Sequence, residues 1–231
     1  LRSIKFFAID IDGTLTLNGN GALNLDALAK LRFLVKLGYK VIFVTGRSSQ
    51  EAYILSVFGG TTPIAIGENG GVITTSPVEH KLLANKDNCL KGFNLLAKNI
   101  KGVSQKPVFP RMTEIVLERA FDINEGNKIF RENGMDLILV DSNYAFHINE
   151  VKINKGFGLS FLLKKINIDF EDVVTIGDSE TDIPMFKQSK FSFTFESSSE
   201  NVRKSATHLV AGMHGEGLIN AIDLIIRGKV F

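Results

Sequence analysis

The sequence predicts an α/β protein, a parallel-sheet core into which a smaller α+β unit is inserted. Short apolar runs alternate with helical periodicity in the first third of the chain and again in the last, the pattern of βαβ units. Between about residues 80 and 150 the order changes to a helix followed by paired strands, twice over. At 231 residues, the chain exceeds the usual single-domain size but falls short of two full domains.

Each element has a local reason. The run IKFFAI (4–9) reads as a buried strand. Asn24 is a plausible N-cap for a helix whose apolar face is Leu25, Leu28, Leu31, Leu34 and Val35, and Gly38 offers the stop. KVIFV (40–44) is the next strand, and Ser48 or Ser49 opens a helix over 48–58 that Gly59-Gly60 ends. PIAI (63–66) makes a third strand before the glycine-rich turn GENGG. The inserted unit is read as a helix (87–99), strands at 103–109 and 113–118, a helix (122–132), and strands at 136–141 and 144–148. The α/β rhythm returns with a helix from Asn154 to about Ile166 and the strand DVVTI (172–176). A short helix near 182–188, FSFTF (191–195), a helix near 199–205, THLVA (207–211) and a last helix to about Arg227 complete it.

Composition narrows the partners. With 44% hydrophobic and 23% charged residues, and 27 Lys+Arg against 25 Asp+Glu, the chain has the balance of an ordinary globular protein with a formal net charge of +2. No dense basic run would follow a nucleic acid or an anionic membrane. The apolar N-terminal run is broken by Asp10 and Asp12, and no apolar span approaches the ~18 residues that a membrane crossing needs. The single cysteine, Cys89, leaves no disulfide and no thiolate zinc site, so a reducing, cytoplasmic setting is expected.

Four polar clusters carry the chemistry: Asp10-Ile11-Asp12-Gly13-Thr14, Thr45-Gly46-Arg47, Asn154-Lys155-Gly156 and Gly177-Asp178-Ser179-Glu180-Thr181-Asp182. Three of them follow strands, where open α/β sheets bind ligands. If those strands are neighbours, Asp10, Asp12, Asp178 and Asp182 converge. Clustered carboxylates repel one another unless a cation offsets them. An oxygen-ligated divalent ion, Mg²⁺, suits a site that keeps waters and adds a phosphate oxygen. Thr45 and Gly46 bring a hydroxyl and N–H groups, and Lys155 brings a compact positive charge. Together these describe a phosphoryl-transfer site.

The four motifs, DIDGT, the Thr of VTGR, the Lys of INKG and GDSETD, closely resemble those of the haloacid dehalogenase superfamily in the same order. The insertion falls where one subgroup of that superfamily carries an α+β cap. The resemblance implies a Rossmann-like core over 1–78 and 152–231 and a cap over 79–151. It implies Asp10 as a nucleophile forming an aspartyl-phosphate and Asp12 as the acid and base that passes protons. It also implies Asp10, the Asp12 backbone carbonyl and Asp178 as metal ligands, with Asp182 either a ligand or an outer acid. Thr45, Gly46 and Lys155 would hold the phosphoryl oxygens. The chain's length and compact cap are similar to those of archaeal-type phosphoglycolate phosphatases, which implies 2-phosphoglycolate as the small phosphorylated substrate. Sugar-phosphate or mannosyl-phosphoglycerate phosphatases, more remotely a phosphomannomutase, and a non-catalytic phosphate-sensing scaffold are the alternatives. Arg111 is read either as an exposed side chain at a hairpin tip or as a clamp for a substrate carboxylate. His147 is read as a packed histidine, and the GENGG loop as a turn or a wall of the site. Oligomeric state is not readable.

Overall fold

The computed structural model describes residues 4–17 and 21–228. In the first half, β1 (Phe6–Ile9), α1 (Leu25–Lys36), β2 (Lys40–Val44), α2 (Ser49–Gly59) and β3 (Ala65–Gly67) follow one another. Then come β4 (Val72–Ser76), β5 (Glu79–Leu82), α3 (Lys86–Asn99), β6 (Ile115–Leu117), α4 (Ile123–Glu132), β7 (Leu137–Asp141) and β8 (Phe146–Glu150). The remainder is α5 (Lys155–Lys165), β9 (Val173–Ile176), α6 (Ile183–Phe186), β10 (Phe191–Phe195), α7 (Glu200–Ser205), β11 (His208–Val210) and α8 (His214–Ile226).

The large sheet has the order β11-β10-β9-β1-β2-β3-β4-β5. From β11 to β3 every pairing is parallel; β4 and β5 extend the sheet antiparallel. Because β2 lies on one side of β1 and β9 on the other, β1 sits at the point where the winding reverses. That is where open α/β sheets form a ligand crevice beyond their strand ends.

Strand alternation builds two core layers. Phe7 and Ile9 of β1, with Val41 and Phe43 of β2, pack with Leu31 and Leu34 of α1 and Leu218, Ala221 and Ile222 of α8. Phe6 and Ala8, with Ile42 and Val44, point the opposite way and pack with Leu159 and Leu162 of α5 and Met185 of α6. Both faces are covered, so the central strands read as continuous apolar runs. The helix starts follow local chemistry. Asn24, Ser48 and Asn154 each accept a first-turn backbone N–H, and Ser48 with Glu51 forms a capping box.

The inserted segment forms a second, three-stranded antiparallel sheet, β6-β8-β7, with α3 and α4 on one face. Gly92 and Gly126 let these helices approach Leu137 and Leu139 closely. Here the structure differs from the sequence reading. No strand forms over 103–109: Gln105 makes a single bridge to Leu117, and Pro107 and Pro110 have no N–H with which to extend it. The first hairpin therefore does not form, and Arg111 lies in the loop before β6. The hairpin of β4 and β5 is an element the sequence reading lacks, and it places Glu79–Leu82 in the large sheet.

Candidate active site

Strand β1 delivers Asp10 at its C-terminal end, with the Asp10 N–H donating to the Ile176 carbonyl of β9 at 3.0 Å. The rigidity of two flanking parallel strands therefore reaches directly to this carboxylate. Gly13 follows with φ +86°, a left-handed turn in which a Cβ would collide with the Asp178 carboxylate. The turn lets the β1 and β9 loops close on each other, and Thr14 Oγ1 donates to Asp178 Oδ1 at 3.0 Å.

Lys155, the first residue of α5, is buried and donates to Asp10 Oδ1 and Asp182 Oδ1, both at 2.7 Å. The other Asp182 oxygen accepts the backbone N–H of Asp178 at 3.1 Å and of Ser179 at 3.0 Å, plus the Ser179 hydroxyl at 3.0 Å. Gly177 leaves room for this, because a Cβ there would strike Asp182. Carboxylate oxygens of Asp10, Asp178 and Asp182 come within 4.8 Å of one another.

Three buried or half-buried acids face one ammonium. Burial, then Asp182, pushes the Asp10 carboxyl well above the usual range against the pull of Lys155. Burial and Asp182 likewise push Asp178 to about 7. Burial works against the Lys155 ammonium, but its pairing with Asp10 and Asp182 outweighs that and raises its pKa. The excess negative charge and the all-oxygen donor set fit a hard divalent cation.

Asp12 stands apart from this cluster. Arg47 grips it in a forked pair, Nε to Oδ2 at 2.7 Å and Nη2 to Oδ1 at 2.6 Å, and also approaches Glu51 at 3.4 Å. The hydrogen bonds to Asp12 raise the Arg47 pKa. The sequence alone gives Arg47 no partner. No local signal marks the pair, because it forms between loops that follow two separate strands.

Thr45 and Gly46 form the neighbouring loop. Thr45 N–H donates to Ile66 O at 2.9 Å, and its hydroxyl accepts the Arg47 N–H at 3.1 Å. The GENGG loop proves to be a wall of the site. Glu68 N–H donates to Arg47 O at 2.8 Å and Asn69 N–H to Thr45 O at 3.1 Å. Both residues are buried with φ of 53°, a backbone cost held by the surrounding contacts. The Glu68 carboxylate accepts the Met112 N–H at 2.9 Å and the Thr113 N–H at 2.7 Å, tying the inserted unit to the core. Burial, then Glu114, raises the Glu68 pKa. His147 is packed, with Nδ1 3.0 Å from Glu114 and Nε2 3.1 Å from Ser142.

A family model for haloacid dehalogenase-like hydrolases matches residues 7–101 and 114–222. The chain belongs to the haloacid dehalogenase-like hydrolases. Among similar family members, a phosphoglycolate phosphatase of Nitrosopumilus maritimus is 50% identical over 219 residues, 95% of each chain. A phosphoglycolate phosphatase of Methanosarcina mazei is 35% identical over 222 residues, 96% of each. The fold matches a crystal structure of Thermoplasma acidophilum 0175 with a TM-score of 0.86 at 20% identity, covering all of both chains. It also matches the sucrose-phosphatase of Synechocystis, solved with sucrose and phosphate, at a TM-score of 0.71 and 15% identity over 96% of this chain and 97% of that one. Among the described residues of this haloacid dehalogenase-like hydrolase, no helix is long and apolar enough to cross a membrane.

Proposed function

We propose that this chain is a Mg²⁺-dependent phosphomonoesterase that hydrolyses 2-phosphoglycolate to glycolate and phosphate in a cytoplasmic setting. The observation that carries the reaction type is the convergence of Asp10, Asp178 and Asp182 around Lys155 beside the Thr45-Gly46 loop. The names of the relatives carry the substrate. Residues 79–151, less the β5 strand that joins the large sheet, act as a cap over the core formed by the rest.

Asp10, Asp178, Asp182 and the Asp12 backbone carbonyl are the groups we assign to the cation, which would offset charge on the phosphoryl oxygens. Lys155 and the donors of Thr45 and Gly46 orient the phosphoryl group from the other side. An Asp10 carboxylate oxygen then attacks phosphorus in line, the P–O bond to glycolate breaks, and Asp12 gives its proton to the leaving oxygen. Asp12, now ionised, takes a proton from water; that water attacks phosphorus, the bond to Asp10 breaks, and phosphate leaves. Both Asp12 oxygens are engaged by Arg47 in this structure. The proton-passing state is thus one in which Asp12 turns from Arg47 to the scissile oxygen.

The experiment is a kcat/KM panel of small phosphate monoesters with and without Mg²⁺. The expected result is 2-phosphoglycolate in first place and loss of turnover in EDTA. A hexose phosphate ahead by tenfold, about 1.4 kcal/mol of transition-state discrimination, would overturn the substrate.

A further inference from the structure

We propose that Arg111, carried on the inserted unit, is the specificity-determining residue that takes the carboxylate of the substrate's leaving group. The inference rests on the phosphatase reading above and assigns to it a residue for the acid end of the substrate.

Arg111 is placed by the core. Its Nη1 donates to the Gly46 carbonyl at 2.9 Å, one residue from Thr45 in the loop assigned to the phosphoryl oxygens. In a two-carbon phosphate ester the carboxylate lies only a few ångströms from phosphorus, so a cation at this loop is within the range such a substrate spans. The position is built rather than incidental. Glu68 clamps the backbone N–H groups of the next two residues, Met112 and Thr113, and Lys86 Nζ donates to the Arg111 carbonyl at 2.7 Å.

The guanidinium is also under-used. Among the described residues, Lys155, Arg47 and Arg111 bring cationic side chains to this end of the sheet. Lys155 bonds Asp10 and Asp182, and Arg47 bonds Asp12 through two nitrogens. Arg111 donates to no carboxylate among the described residues. Glu114 Oε1 lies 3.4 Å from its Nη1, an ion pair without hydrogen-bond geometry in which that oxygen is itself buried with no hydrogen-bond partner, while Oε2 of the same acid bonds His147 at 3.0 Å and Asn69 at 3.3 Å. The Arg111 side chain is 8% exposed, and its Nε is buried without a hydrogen-bond partner. A buried donor left unmade is costly, and a guanidinium edge matches a carboxylate in geometry and charge. Since that edge is sealed from solvent here, the substrate reaches it by parting the inserted unit from the core and is held there as the two close again.

The test uses the full chain with Mg²⁺ and two matched pairs of esters: 2-phosphoglycolate against 2-hydroxyethyl phosphate, and 3-phosphoglycerate against glycerol 3-phosphate. The readout is the acid-to-neutral ratio of kcat/KM, which cancels any general loss of folded enzyme. We expect the wild type to favour 2-phosphoglycolate and Arg111→Gln to lower that ratio about 30-fold, mainly through KM for the acid. Arg111→Lys, which keeps the charge and loses the fork, should fall between the two and serves alone if the glutamine variant does not fold. A ratio within about threefold of wild type in the folded variants, or an equal fall on both members, would make Arg111 a structural residue and overturn the proposal. A preference confined to the 3-phosphoglycerate pair and lost in Arg111→Gln would support Arg111 while overturning 2-phosphoglycolate as substrate. A wild type with no acid preference in either pair would overturn both.

Discussion

Asp10 and Asp12 are two residues apart on one strand end, yet their surroundings give them opposite characters. Asp10 is buried, locked to Lys155, and surrounded by Asp178 and Asp182. Asp12 is half-exposed and held by the half-exposed Arg47. A fixed group suits in-line attack, and a movable one suits carrying protons between two positions. Gly13 makes that difference possible by turning the chain sharply after Asp12 while leaving the Asp178 carboxylate its place. Gly13→Ala should therefore destabilise the fold by about 1–3 kcal/mol, from the left-handed backbone and the displaced acid together. Urea denaturation checks this, and an unchanged midpoint would contradict the role given to the turn.

At the scale of elements, legibility follows burial. Strands such as KVIFV and FSFTF are covered on both faces, so their apolar runs announce them, and β2 and β10 form over the same residues the sequence reading assigns. Helices with side-chain caps were equally plain, because Asn24, Ser48 and Asn154 mark their starts. The edge strand β5 carries no such signal: its residues EHKL are mostly exposed and do not alternate. The false strand at 103–109 is the converse, a segment with strand-forming Val103, Val108 and Phe109 in which Pro107, and Pro110 just beyond it, cannot donate to a ladder. The meeting of Asp10, Lys155, Asp178 and Asp182 was readable because each follows a strand or opens a helix of the core, whereas Asp12, expected among them, turns away to Arg47. The Arg47–Asp12 pair, the Glu68 clamp and the burial of Arg111 were not readable, since they depend on how loops from distant segments meet. No local pattern records such a meeting.

At the scale of the whole molecule, the site imposes a charge cost that folding alone does not relieve. Asp178 has a folded pKa of about 7, against an unfolded value near 4, and Asp10 is also raised. Between those values the native state holds protons that the unfolded chain has lost, so stability falls as pH rises from about 4 through about 7. A divalent cation held by these acids, as proposed above, would replace those protons. In chelator-treated protein, added Mg²⁺ should raise Tm little at pH 5 and by about 5–10 °C at pH 8, taking a concentration near 100 Kd and about 2–4 °C per kcal/mol. Thermal melts at the two pH values measure this, and an equal or larger gain at pH 5 would mean that these acids do not take the cation. The proposed covalent mechanism depends on Asp10 as the attacking group. Its most direct test is the kcat of Asp10→Asn on 2-phosphoglycolate with saturating Mg²⁺, in protein whose melting confirms that it is folded. We predict a loss on the order of 10⁴-fold, leaving no turnover above background; activity within tenfold of wild type would contradict covalent catalysis at this strand end.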